Sequence, residues 1–247
     1  MSSSTRGTPD TPGTAGAPST PRGARARARL EVTEAIKNEA RRQLALDGAA
    51  KLSLRAVARE LGMVSSALYR YFPSRDDLLT ALIIDAYDSL GEAAETAHDA
   101  VAAAGPVRRW TAVCEAVRAW ALAHPHEYAL IYGSPVPGYT APQTTVPPAA
   151  RVGLLLIRIV RDAHRGQGVA KTPLPAELRT EAERLTADIA PDLPPEVVAV
   201  LVAAWAELYG LVGFEVFGQF NRVVEDREPF FRHAVARLAH SVGLVHE

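Results

Sequence analysis

From Leu30 onward the apolar positions repeat with a helical period. Val32, Ile36, Ala40 and Leu44 fall four residues apart and predict a helix over 30–47 that stops at Gly48. Ser53 then precedes Leu54, Val57, Ala58 and Leu61, an i, i+3, i+4, i+7 stripe closed by Gly62, so a second helix has little more than two turns. A brief turn and a third short helix follow, with Leu68 and Phe72 inward. Pro73 ends it, lacking an N–H and disfavouring helical backbone at Phe72. Ser74-Arg75-Asp76-Asp77 has the Ser-x-x-Asp capping pattern, and Leu78, Leu79, Leu82 and Ile83 share one face after it, which predicts a long fourth helix. Beyond Gly91 the pattern predicts helices over 105–124, 125–133, 147–166, 175–190, 194–220 and 228–243, separated by Gly and Pro clusters. No strand alternation of useful length and no internal repeat occurs, so the expected fold class is all-α. Between them, Pro135, Pro137, Gly138, Pro142, Pro147 and Pro148 predict a loop over 134–148, longer than an ordinary connection and able to act as a flap.

Composition changes the picture at the N-terminus. In residues 1–29, Gly, Pro, Ser and Thr fill 17 positions and only Met1 is apolar and larger than Ala, so this stretch is expected to be a disordered arm. Its end carries Arg22, Arg25, Arg27 and Arg29, which suit either phosphate contact beside DNA or a merely solubilising leader. The rest, with 48% apolar residues overall, is long enough for a sizeable core. One cysteine, Cys114, excludes an intramolecular disulfide and a four-cysteine zinc site, which points to a reducing cytoplasm. No signal-peptide pattern precedes the helices, and no membrane partner is expected.

Net charge is −1, yet its distribution is uneven. Residues 1–78 hold 13 Lys and Arg against 8 Asp and Glu, and residues 79–247 hold 14 against 20. A basic portion joined to an acidic remainder is what a protein shows when one part meets nucleic acid. Ser53 to Phe72 spans 20 residues as short helix, glycine turn, short helix, the size of a helix-turn-helix. Such a unit packs its helices through Val57, Ala58, Leu61 and Leu68 and leaves the outer face of the second polar and slim enough for a major groove about 12 Å wide.

The run from Leu52 to Gly62, then Ala67-Leu68-Tyr69-Arg70-Tyr71-Phe72-Pro73-Ser74-Arg75-Asp76-Asp77-Leu78-Leu79, resembles the DNA-binding domain of TetR-type transcriptional regulators over about residues 30–80. The resemblance implies that Tyr69 and Arg75 bind phosphate, that Arg55 reaches a base or phosphate, and that Ser65, Ser66, Ala67, Arg70 and Tyr71 face the groove. Two departures stand out. Met63-Val64 replaces the customary Val-Ser after the glycine, leaving Ser65 to cap one residue later, and Arg75 replaces the more usual lysine.

Trp205 to Gly218 reads as a helix apolar nearly all round, interrupted by Glu207 and Glu215, which suits burial on two sides better than a membrane. It resembles the C-terminal domain of a TetR subgroup with a Trp-x-x-x-His-Gly signature, Tyr209 standing where histidine is customary. That resemblance implies a homodimer whose interface includes Trp205, Tyr209, Gly213 and Phe217. Trp110, Cys114 and Val117 share one helix face and Tyr128 and Tyr132 another; they suit an amphipathic effector pocket or simple core packing. His124-Pro125-His126-Glu127 lacks a third ligand and reads as a turn, so no metal and no cofactor is expected.

No nucleophile elbow, phosphate loop, dinucleotide fingerprint or zinc-protease pair occurs, which argues against an enzyme. The expected domains are the arm over 1–29, a DNA-binding domain over 30–76 and an effector-binding and dimerisation domain over 77–247. The function expected is a cytoplasmic regulator, a ligand-responsive repressor binding double-stranded DNA at a near-palindrome as a homodimer. The alternative is a helical scaffold protein without specific DNA binding.

Overall fold

Proline and an alternating alanine–arginine run decide where the first helix begins. In this computed structural model, which describes residues 21–245, α1 is Pro21–Asp47 and so starts well before Leu30. The disordered reading of the arm is corrected for 21–29, while residues 1–20 lie outside the described residues. Pro21 supplies a backbone pre-set for a first turn, and Ala and Arg are strong helix formers. A helix already anchored by Ile36, Ala40 and Leu44 therefore propagates outward at one hydrogen bond per residue despite Gly23.

Three further elements complete the N-terminal unit. These are α2 (Leu54–Glu60), α3 (Ser65–Leu68) and α4 (Arg75–Asp99). Ser53 caps α2, its hydroxyl accepting from the Ala56 N–H at a long 3.5 Å, and Gly62 takes the left-handed backbone (φ 64°) that the tight turn into α3 requires. At Ser74 the pattern is reciprocal: Asp77 N–H donates to Oγ (3.1 Å) and Oγ donates to the Asp77 carboxylate (2.7 Å). The core of this unit is Ile36, Ala40 and Leu44 with Val57, Ala58, Leu68, Phe72, Leu78, Leu79 and Leu82.

Helix α4 begins at the expected 76/77 domain boundary, yet its first half, through Leu78, Leu79 and Leu82, belongs to the core of the N-terminal unit. Its second half, through Ala86, Leu90 and Ala94, enters a larger core built by α5 (Pro106–Ala123), α6 (Pro125–Tyr132), α7 (Val146–Arg165), α8 (Arg179–Ile189), α9 (Pro195–Val216) and α10 (Arg227–Ser241). No strand occurs among the described residues. Gly91 gives α7 its seat on α4. A Cβ there would stand 2.5 Å from the Arg151 Nε, whose guanidinium lies across the glycine to bind Glu95 (2.6 and 3.0 Å) and Asp88 (2.8 Å).

By length and composition α9 could cross a membrane, yet it packs against α5, α8 and α10. Of its three carboxylates, Glu215 is buried and accepts two hydrogen bonds from Arg118 of α5, at 2.6 and 2.7 Å. The guanidinium also lies over the Phe231 ring of α10 (5.4 Å), so one ion pair joins three helices.

Removing one partner of such a pair strands the other charge. Arg118→Met is expected to cost about 3–5 kcal/mol in urea unfolding, whereas the double change Arg118→Met with Glu215→Leu should return most of it. Equal losses in the single and double variants would show that packing, not charge, sets the cost.

Candidate nucleic-acid interface

The proposed reading face begins with α3, which is shorter than the sequence suggests. Regular helix covers only Ser65–Leu68, after which the chain tightens: Tyr71 N–H bonds Leu68 C=O at 2.8 Å and Arg70 N–H bonds Ala67 C=O at 3.2 Å. The reason lies at both ends. Val64 occupies the cap position and offers no side-chain acceptor, Ser65 is the first helical residue rather than a displaced cap, and Pro73 blocks extension. Leu68 and Phe72, with half-buried Tyr71 beside them, pin the segment to the core.

Around that turn the structure gathers the expected residues onto one exposed surface. Ser65, Ser66, Tyr69 and Arg70 are exposed, Ala67 and Tyr71 half-buried, and Arg55 projects from α2. Arg29 of α1, one of the arm arginines, places its guanidinium 5.1 Å from the Tyr71 ring centre. The described end of the arm, residues 21–29, is thus a helical extension of α1 that touches the reading segment through Arg29, a contact that no spacing rule signals.

Pairing sorts the basic residues of this region into two groups. Lys37 and Arg41 are held by Asp85 of α4 at 2.9 and 2.6 Å, Arg41 reaches Glu127 of α6 (3.6 Å), and Arg42 and Arg59 pair with Glu39 and Glu60. The side chains of Arg25, Arg27, Lys51, Arg55 and Arg70 have no hydrogen-bond or ion-pair partner among the described residues. The unpaired group is what could neutralise phosphate at no internal cost.

Arg75 belongs to neither group. Its Nε donates to Leu52 C=O (3.1 Å) and one Nη to Ala49 and Ala50 C=O (2.9 and 3.2 Å), closing the connection between α1 and α2 onto the start of α4. The other Nη lies 3.6 Å from Asp76. A lysine could not hold three carbonyls with this planar fork. The phosphate contact that the family resemblance implies would compete with domain closure for the same side chain.

The remaining expected positions divide. Trp110, Cys114, Val117 and Tyr128 are buried in the main core, so packing accounts for them, and burial pushes the Cys114 thiol and the Tyr128, Tyr132 and Tyr209 hydroxyls far up from their ordinary pKa values. Trp110 Nε1 is buried without a hydrogen-bond partner among the described residues. Tyr209 turns inward: its ring lies 4.2 Å from Tyr132, its carbonyl accepts from the Tyr128 hydroxyl (3.1 Å), and its own buried hydroxyl finds no partner of regular geometry. Trp205 and Phe217 stay exposed, and Gly213 sits against Tyr128 and Phe217 of its own chain. His124 stacks on Trp120 (5.0 Å), and no group of three or more His, Cys, Asp and Glu is placed to hold a metal among the described residues.

A helix-turn-helix presented with unpaired arginines, on a helical body of this size, defines a DNA-binding transcriptional regulator. The comparisons name its kind. Residues 36–82 match the model for bacterial regulatory proteins of the tetR family, and residues 110–238 match that for the tetracyclin repressor-like C-terminal domain. An HTH-type transcriptional regulator of Mycobacterium tuberculosis (strain H37Rv) is 40% identical over 202 residues, 81% of this chain and 86% of the relative. The chain belongs to the TetR family. Among solved structures, regulatory protein SCO4313 superposes with a TM-score of 0.72 at 32% identity, over 87% of this chain and 98% of the other. A Rhodococcus protein of unknown function (TM-score 0.63, 23% identity, 85% and 92% covered) shares the fold.

Arg75→Ala should lower the stability of the full chain by about 1–3 kcal/mol in chemical denaturation, through the lost carbonyl bonds. It should also weaken cognate and random DNA alike. Unchanged stability with weakened DNA binding would assign the side chain to phosphate alone.

Proposed function

We propose that this regulator is a ligand-responsive repressor that binds a near-palindromic operator as a homodimer. The observation that carries the dimer is the outer face of α9. Only 33% of its most apolar stretch is buried, and Ala203, Trp205, Ala206, Gly210, Phe214 and Phe217 lie on the remainder. Phe214, Phe220 and Phe230 continue the face edge to face across to α10 (5.6 and 5.7 Å). That much apolar surface on a single copy calls for cover. Glu207 and Arg237 line the same groove and pair with nothing among the described residues. Opposite charges on one self-facing patch favour a second copy related by a twofold axis, where each glutamate meets the other arginine. The axis presents two reading segments and so matches a twofold DNA site. Trp205, Gly213 and Phe217 fit that interface; Tyr209 serves it from beneath.

Ser65, Ser66, Ala67, Tyr69, Arg70 and Tyr71 then meet the major groove, with Arg55 and the helical arm beside them on phosphate. A small-molecule effector in the C-terminal body releases DNA when it binds the DNA-incompetent arrangement more tightly than the competent one. Against the scaffold alternative stands the cluster of unpaired arginines beside the reading segment, which a protein without a polyanionic partner has no use for. The 40% identical relatives, named as transcriptional regulators, support a cytoplasmic regulator over an enzyme.

Gly210 gives the clean interface test, because a Cβ there meets nothing within 4 Å inside the chain. Gly210→Arg should leave the fold intact and yield monomers in sedimentation with weakened operator binding; a wild-type chain that sediments as a concentration-independent monomer refutes the dimer. Arg70→Ala should cost about 1–3 kcal/mol on the cognate site and far less on random DNA. Removing residues 1–20 should leave affinity nearly unchanged, while removing 1–30 should weaken it and flatten its salt dependence; equal affinity of the two truncations would make the arm a bystander.

A further inference from the structure

The inward stripe of α1 does not end with the core. Leu44, Ala40, Ile36 and Val32 run along one face of the helix and pack in the DNA-binding unit, and the next position on that face toward the N-terminus is Arg29. Its guanidinium meets the ring of Tyr71, 5.1 Å from the ring centre. Among the described residues no carboxylate pairs with it, so the ring is what holds it. Arg25 continues the same face one turn further out, exposed and with no ring contact among the described residues.

Tyr71 is a place where such a hold matters. The reading segment has one turn of regular helix and no side-chain cap. Beyond Leu68 its backbone depends on three bonds: Arg70 N–H to Ala67 C=O (3.2 Å), and the Tyr71 and Phe72 N–H groups to Leu68 C=O (2.8 and 3.1 Å). A helix this short has almost no stability of its own, so its orientation is set by side chains that grip neighbouring elements. Leu68 and Phe72 grip from within the core. Tyr71 is half-buried, packed against that core and covered by the Arg29 guanidinium. Arg70 stands between these anchors in the chain and is exposed. Rotation of the turn about the Leu68–Phe72 pair would swing Arg70 sideways, and the stack of Arg29 on Tyr71 opposes that rotation.

From this geometry we infer that Arg29 is a positioning residue for sequence recognition: stacked on Tyr71, it fixes the turn that carries Arg70 and sharpens the choice of DNA sequence without itself touching a base. The inference rests on the DNA-binding reading and separates Arg29 from the other arm arginines, whose role there is to neutralise phosphate. The two roles leave different marks. A phosphate contact strengthens cognate and random DNA alike and steepens the salt dependence, whereas a positioning contact acts on the ratio between them.

The test uses the full-length chain in two measurements, one without DNA and one with it. Without DNA, Arg29→Met should speed amide exchange at Arg70, Tyr71 and Phe72 about threefold, the scale of an exposed cation–ring contact, while Arg25→Met leaves it unchanged. With DNA, the probes are a duplex that the wild-type protein enriches from a random-sequence library and a random duplex of the same length. Arg29→Met should lower the ratio of cognate to random affinity about threefold for each copy bound. Arg25→Met should weaken both duplexes equally and flatten the salt dependence. Tyr71→Phe, which keeps the ring, should retain the sensitivity of the ratio to Arg29, and Tyr71→Leu should abolish it. Unchanged exchange or an unchanged ratio in Arg29→Met, or an equal loss of the ratio when Arg29→Met is made in the Tyr71→Leu background, overturns the inference and leaves DNA binding standing. A wild-type chain that enriches no sequence overturns the DNA-binding reading and the inference with it.

Discussion

Helix α4 belongs to two hydrophobic cores at once, and the arrangement of the molecule follows from that shared membership. Leu78, Leu79 and Leu82 close the DNA-binding unit, and Ala86, Leu90 and Ala94 close the body one to three turns later on the same rod. An α-helix is stiff over such a length, so neither core can rotate without carrying the other's leucines with it. What sits beside the midpoint reinforces this. Asp85 draws in Lys37 and Arg41 from α1, Thr80 takes Tyr139 from the proline-rich segment before α7, and Tyr87 reaches the Ile131 carbonyl of α6. Apart from the Arg41–Glu127 contact between α1 and α6, these polar links converge within about two turns of one helix.

Most of the fold was legible because it is written in short-range signals. The four-residue spacing of Ile36, Ala40 and Leu44, the Gly62 turn, the Ser74 cap and the prolines at 106, 125 and 195 each act within one or two turns of the element they define. The failures have the same logic in reverse. The arm looked unstructured because composition was summed over 29 residues, when Pro21 and the arginine–alanine run extend a helix already nucleated further along. The reading helix looked longer because Leu68 and Phe72 keep helical spacing even where the backbone has tightened into turns.

Side-chain destinations were the illegible part, since they depend on partners far away in the chain. Arg75 in sequence is a basic residue in a DNA-binding motif; in space it is a clasp on three carbonyls some two dozen positions upstream. Glu215 looked like an interruption of an apolar helix and is instead one half of a buried ion pair. The excess of basic charge at the N-terminal end is likewise smaller in effect than its count, because Lys37, Arg41, Arg42 and Arg59 spend their charge on neighbours.

The length of α1 has a mechanical meaning. At about 1.5 Å per residue its 27 residues span about 40 Å, and the ion pairs of Lys37 and Arg41 hold it near its C-terminal half. The end carrying Arg25 and Arg27 therefore lies on a lever of roughly 20 Å, with Arg29 resting on Tyr71 part of the way along, and a tilt of about 10° at the fulcrum carries it about 3 Å, a hydrogen bond's length. Leverage of this kind turns a displacement too small to unseat a core side chain into one large enough to break a hydrogen bond at the helix tip.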